Sequence, residues 1–199
     1  MTILQERDEF TGEQFERLNL VGEEFLNKRF YDCRFAHCNF SAAKWTDCVF
    51  DGCLFTDSNL SNALVKRSAF REVRFKLCKL VGIDWPSAKW PGVALSDLIE
   101  FDECILNGGS FFGLVLHELK MEGCQAREVD FTEADCTEAS FIQTDFMHAL
   151  FHQTDLTRAD FTDALDYGID VSSNRINGAK FSLPDAINLL RSLPIELIE

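Results

Sequence analysis

From Phe10 onward one large apolar residue recurs at every fifth position. The series runs Phe10, Phe15, Leu20, Phe25, Phe30, Phe35, Phe40, Trp45, Phe50, Phe55, Leu60, Val65, Phe70, Phe75, Leu80, Trp85, Trp90 and Leu95. It slips by one residue and resumes at Phe101, Leu106, Phe111, Leu116, Met121, Ala126, Phe131, Cys136, Phe141, Phe146, Phe151, Leu156 and Phe161. Asp166 interrupts it, and Val171, Ile176 and Phe181 restore it. A helix repeats about every 3.6 residues and a strand about every 2, so this comb belongs to a repeat architecture of another kind.

Two places before most apolar centres lies a small residue, as in Cys33, Cys38, Ala43, Cys48, Cys53 and Ser58, or Ala134, Ala139, Thr144 and Ala149, with Val73, Ile83, Ile99, Leu114 and Leu119 as larger apolar members. The other three places are polar or variable. Each pentad therefore buries one large and one small side chain. A chain that turns a corner at every pentad puts all the centres inside a square tube, with four pentads to a coil. Residues 20 apart then stack at about the inter-strand spacing of ~4.8 Å. Phe10, Phe30, Phe50, Phe70 and Trp90 form one expected column. Phe15, Phe35, Phe55 and Phe75 form a second, and Phe101, Met121, Phe141, Phe161 and Phe181 a third. Stacked aromatic ladders of this kind are favourable in offset geometry.

The unit resembles that of the pentapeptide repeat family, A-(D/N)-L-x-x. Ala134-Asp-Cys-Thr-Glu, Ala139-Ser-Phe, Thr154-Asp-Leu-Thr-Arg and Ala159-Asp-Phe-Thr-Asp show it most plainly. The resemblance covers about residues 10–181 and implies an all-β solenoid, a right-handed quadrilateral β-helix.

The comb divides the chain. Residues 1–85 read as an N-terminal β-helix whose first coil carries Asp8, Glu13, Glu23 and Lys28 in the small slot. Such charges discourage end-to-end pairing of an open solenoid edge. Residues 86–100 hold Pro86, Pro91 and Gly92 and the slip. Proline cannot donate to a sheet ladder and Pro-Gly is a turn signal. The segment is either a one-residue bulge or a projecting loop carrying Lys89, Trp90, Pro91 and Gly92. Trp90 also falls on the comb, which makes it a candidate for the core. Residues 101–181 regain the pattern, and Asp166-Tyr-Gly marks an irregular last coil. Residues 182–199 change period. Ser182-Leu-Pro-Asp185 reads as a helix start, with Leu183, Ile187, Leu190 and Leu193 at helical spacing and Pro194 as the stop. This helix should cover the open end of the tube. Surplus apolar residues, Leu189, Leu193, Ile195, Leu197 and Ile198, point to a second copy covering the rest.

Chemistry changes this picture little. Seven of the eight cysteines occupy the small slot and Cys136 is a centre. Cys33/Cys53 and Cys104/Cys124, 20 apart, come within reach of a disulfide, but buried free thiols act as small apolar side chains. His37, His117, His148 and His152 fall on outward positions away from the thiols, so no metal or cofactor site is expected. No Gly-rich phosphate loop, acid pair in a pocket or nucleophile–base set is present, and the chain reads as a non-enzyme. There is no apolar run of ~18 residues or more for a membrane span. The acidic, polar start is unlike a secretory leader, which makes the cytoplasm the expected compartment.

Charge divides the chain more sharply. Residues 1–95 hold 13 basic and 13 acidic residues; residues 96–199 hold 6 and 20. The whole net charge of −14 lies in the second half. Residues 96–181, at 17 acids and 5 bases, carry about one net negative charge per ~1.7 Å of rod, close to the axial charge density of duplex DNA. Twenty-residue stacking sets Glu118, Asp135, Glu138 and Asp155 on one face and Glu100, Asp102, Glu103, Glu122, Asp160 and Asp163 on the next. An acidic rod repels nucleic acid, so direct binding to it is not expected; a basic DNA-binding groove is the partner that suits it. Surface acids also simply keep a solenoid soluble.

Within the family the chain resembles the topoisomerase-poison resistance proteins, the Qnr and albicidin-resistance type. The likeness rests on the Phe/Cys-rich first half, on Val73-Arg-Phe-Lys-Leu-Cys-Lys through Trp85 to Pro91-Gly92, on Phe131-Thr-Glu-Ala-Asp-Cys136, and on the tail from Phe181-Ser-Leu-Pro-Asp. It implies a homodimer, joined tail to tail through the C-terminal helix, that mimics B-form DNA. The dimer would engage DNA gyrase or topoisomerase IV and protect it from a poison such as albicidin or a quinolone. Qnr members carry projecting loops; the single candidate here, 86–100, tilts the expectation toward albicidin. The alternative is a rigid scaffold that presents 86–100 to an unrelated protein.

Overall fold

A computed structural model describes residues 3–90 and 99–196. The chain winds as an all-β solenoid of about eight coils, with one short helix at its C-terminal end. Every strand pair among the described residues is parallel, and its register is the sequence comb itself. Glu9–Thr11, Arg29–Tyr31, Val49–Asp51 and Ala69–Arg71 form a four-stranded sheet that pairs Phe10 with Phe30, Phe30 with Phe50 and Phe50 with Phe70. Gln14–Glu16, Arg34–Ala36, Leu54–Thr56, Val73–Lys76, Ile99–Asp102 and Lys120–Glu122 form the longest sheet. The four walls are named here by their first centres: the Phe10, Phe15, Leu20 and Phe25 faces.

The centres fill the tube. Phe15, Phe35 and Phe55 stack at 5.0 and 4.5 Å with planes 16° and 11° apart. Neighbours within a coil, such as Phe30 and Phe35, meet edge-on at 5.4 Å. Both are preferred arrangements of aromatic quadrupoles. The corner two residues past most centres takes a left-handed φ, as at Ala42 (56°) and Glu133 (59°). That conformation turns the chain through each corner and costs a non-glycine residue of order 1 kcal/mol.

The small slot has a reason beyond size. At many corners the slot N–H donates to the carbonyl of the preceding centre, as Ala43 does on Phe40 O and Ser68 on Val65 O (both 3.0 Å). At several corners that lack this bond, a side chain one coil on accepts instead. The Cys38 N–H donates to Ser58 Oγ (3.0 Å), Cys78 to Cys104 Sγ (3.4 Å), Cys104 to Cys124 Sγ (3.3 Å) and Cys124 to Thr144 Oγ1 (3.2 Å). Cysteine, serine and threonine thus satisfy buried N–H groups that would otherwise cost free energy. All eight cysteines are buried free thiols.

The insertion differs from a one-residue bulge. Phe55 pairs with Phe75, 20 residues on, but Phe75 pairs with Phe101, 26 on. One coil therefore holds six additional residues, and because six and one are equal modulo five the comb shows only a slip. The expected third column is accordingly a continuation of the second: Phe75 stacks on Phe101 at 5.6 Å. Trp90 is not carried outward. It is half-buried against the core, and its Nε1–H donates to Trp85 O (2.7 Å). Pro91 and Gly92 lie outside the described residues.

Both ends depart from the repeat. At the N-terminus Lys28, in a slot position, is buried and donates to Asp8 (2.9 Å) and Arg7 O (2.6 Å), while Leu4 is buried over the first coil. At the other end Asp166 is exposed and Tyr167 takes the core place. The expected helix over 182–193 is one turn only, Ile187–Leu190. Ser182 does not cap it; its hydroxyl accepts the Asp163 N–H (3.1 Å).

Candidate partner-binding surface

The acids of the second half fall into two chemical groups, set by their place in the pentad. Asp130, Asp135, Asp145, Asp155 and Asp160 stand one place before a centre. One carboxylate oxygen of each accepts the N–H two residues on, Thr137 onto Asp135 at 3.1 Å and Thr162 onto Asp160 at 3.0 Å. These side chains pin the corner backbone, the role of Asn39 and Asn59 in the first half. This explains the D/N of the repeat: a short side-chain acceptor that satisfies the next corner.

In four of them, Asp130 excepted, the second oxygen faces a basic side chain on a neighbouring coil, Arg127 in the case of Asp145. Asp135 meets His117 Nε2 at 2.7 Å, Asp155 meets Arg175 at 3.2 Å and Asp160 meets Lys180 at 2.8 Å. Burial pushes these three carboxyls up. The threonine donors and the basic partners outweigh it and hold each below the ordinary aspartate range. Glu100 bridges Arg74 (2.9 Å) and Lys120 (2.8 Å), Asp102 pairs with Lys76, Glu138 pairs with Arg158, and Glu122 accepts from the Ser140 hydroxyl. Exposed pairs of this kind contribute about 0–1 kcal/mol each, but they offset much of the expected acidic stripe.

The corner acids form the second group. Glu103, Glu118 and Asp163, at φ 52°, 57° and 56°, make no side-chain hydrogen bond or ion pair among the described residues, although Glu103 lies within the field of Lys76. Glu128 and Glu133, which sequence reasoning passed over, sit at equivalent corners with φ 58° and 59°. Their shared signal is a glutamate two places past a centre. The uncompensated negative charge therefore lies along the edges of the prism rather than on two flat faces.

Of the residues expected at a dimer junction, Leu189 packs against the core and is half-buried. Leu193 and Ile195 are exposed, and Leu197 and Ile198 lie outside the described residues. Leu183, Ile187 and Leu190, the helical-spacing set, are exposed beside them, so each residue of this apolar stripe is 36 to 84% exposed. Lys89 is exposed next to the insertion. Among the described residues no group of three His, Cys, Asp or Glu side chains is placed to hold a metal ion. Burial pushes the Cys136 thiol up, away from the thiolate that nucleophilic chemistry needs. No helix among these residues is long and apolar enough to cross a membrane.

Solved structures with the same coil are known. A trypsin-treated form of QnrB1, described as a plasmid-mediated fluoroquinolone resistance protein, matches with a TM-score of 0.68 at 18% identity, over 96% of this chain and 97% of that one. HetL, a pentapeptide repeat protein involved in heterocyst differentiation regulation from the cyanobacterium Nostoc sp. strain PCC 7120, matches with a TM-score of 0.59 at 14% identity, over 86% and 84%. No curated protein sequence matches the chain. The pentapeptide repeat region family matches residues 28–99, and the family of pentapeptide repeats in eight copies matches residues 127–163. With more than half its length matched in this way and every coil in register, the chain belongs to the pentapeptide repeat family.

Proposed function

We propose that this protein is a non-catalytic dimer that occupies the DNA-binding saddle of a type II topoisomerase, DNA gyrase or topoisomerase IV, and shields the enzyme from a poison. The observation that carries this reading is the negative charge gathered on residues 99–181, with Glu103, Glu118, Glu128, Glu133 and Asp163 held on left-handed corners outside the ion pairs formed among the described residues. Charge at that density on a rigid rod competes with DNA for a basic groove. The shared fold with QnrB1, a fluoroquinolone resistance protein, directs the reading to topoisomerase poisons. The apolar stripe Leu183, Ile187, Leu190, Leu193 and Ile195 supports a second copy at the C-terminal end, since exposed apolar patches mark interfaces. Such a dimer is a rod with acidic middle and near-neutral ends.

Two measurements test this. Light scattering should give about twice the chain mass of 22.7 kDa, and Ile187→Asp with Leu190→Asp should return it to one. Immobilised gyrase DNA-binding core should capture the protein, and duplex DNA should displace it. Capture that DNA does not displace rejects the saddle as the site. The second reading, a scaffold presenting 86–100, draws on HetL, a regulatory member with the same coil. Protein that ignores topoisomerases altogether supports it.

A further inference from the structure

We propose that the Phe10 face of the first five coils is a docking trough for a short acidic peptide segment of a partner protein. The trough, about 780 Å³, is lined by Arg29, Tyr31, Arg67, Arg71, Lys89 and Trp90 over a floor of small residues. Its origin is in the sequence. Arg29, Val49, Ala69 and Lys89 occupy the same outward position in successive coils. The two middle ones are short, so the wall is hollow between two long cations. Three coil steps at ~4.8 Å separate Arg29 from Lys89, about 14 Å, or about four residues of extended peptide.

Charge selects the occupant. Arg67 is held by Asp47 through two bonds of 2.8 and 2.6 Å, and Arg71 lies 3.9 Å from Asp51. Arg29 and Lys89 make no side-chain hydrogen bond or ion pair among the described residues, Lys89 acting only at longer range on Asp47, although the chain carries a net charge of −14. The trough is bounded by acids. Beyond Arg29 the same row reaches Glu9, and in the later coils the row of Val115, Asp135, Asp155 and Arg175 carries two acids and one base. A long polyanion such as nucleic acid meets Glu9 at one end and the net-acidic second half at the other, whereas a segment of four residues fits between. The apolar floor of Val49, Ala69 and Ala88, flanked by the half-buried rings of Tyr31 and Trp90, favours an acidic segment with an apolar or aromatic centre. This inference is independent of the topoisomerase reading, since the trough lies on the charge-balanced half.

The probe is a fluorescein-labelled hexapeptide, Glu-Asp-Leu-Phe-Asp-Glu, followed by polarisation. It should bind more weakly as salt rises. Arg29→Glu with Lys89→Glu should weaken it at least about tenfold, while Arg34→Glu with Lys79→Glu, an equal charge change on other faces, should leave it within about twofold. Circular dichroism checks that both variants keep the fold. The proposal is overturned if the Gln/Asn analogue of the peptide binds equally, if both double variants lose equally, if the peptide does not bind, or if an eight-residue dT oligonucleotide binds more tightly.

Discussion

Thr144→Val tests why the slot opposite each centre holds hydroxyls and thiols. The substitution keeps the shape and removes one oxygen. Thr144 is fully buried. Its Oγ1 accepts the Cys124 N–H at 3.2 Å and donates to Met121 O at 2.7 Å. The corner before Cys124 closes no hydrogen bond of its own, so valine leaves that N–H without a partner inside the tube. An unpartnered buried group costs about 1–3 kcal/mol, and exchanging the hydroxyl for a methyl regains only a fraction through apolar burial. The expected loss is ~1.5–3 kcal/mol, read as a shift of the urea midpoint at unchanged slope. Thr137→Val is the comparison. Its Oγ1 bonds only to the partly exposed Asp135 side chain, and its loss should stay below ~1 kcal/mol. A Thr144→Val protein as stable as the parent would show that the slot is chosen for size alone.

Three further outcomes follow from the geometry. Phe35→Ala, which empties a place stacked between Phe15 and Phe55, should cost about 3–5 kcal/mol, while Phe112→Ala, at a 45% exposed site off the comb, should cost under ~0.5 kcal/mol; equal losses in denaturation would refute the inward comb. Because the Asp135, Asp155 and Asp160 carboxyls are held low in the folded state, their contribution is present above the ordinary aspartate value of about 3.9 and is lost as pH falls below it through the folded values. Stability measured from pH 6 down to about 3 should therefore fall, less steeply in Asp160→Asn, and a flat profile would contradict the ion pairs. Gly52→Ala should destabilise the rod, because a Cβ there meets Asp32 Oδ1 at 2.5 Å on a left-handed corner; an unchanged melting temperature would contradict the corner geometry.

The coil was legible in the sequence because one apolar residue faces inward from each wall, so the core prints its period directly on the chain. Three things were not legible. The size of the insertion was hidden, since an added pentad leaves no trace in a period of five; only the pairing of Phe75 with Phe101 reveals it. The partners of the acids depend on that same register. Arg74 reaches Glu100 and Lys76 reaches Asp102 across 26 residues, so counting by 20 does not find them. The aspartates before each centre looked like surface charge, whereas their oxygens are engaged by the corner backbone. The dual use of cysteine was partly visible, because Cys38, Ser58 and Cys78 alternate at one slot, and serine there signals an acceptor rather than a hydrophobe. At the C-terminal end the periodic apolar residues marked a long helix, but Ile187–Leu190 is all that forms.

The most direct test of the topoisomerase reading is DNA supercoiling by gyrase, titrated with the protein in the presence and absence of a poison. The account predicts rescue of supercoiling in the presence of drug at near-stoichiometric protein. It also predicts loss of that rescue when Glu103, Glu118, Glu128, Glu133 and Asp163 are reversed to lysine together, with the coil intact by circular dichroism. No effect of the parent protein at large excess, or full rescue by the reversed variant, would contradict it.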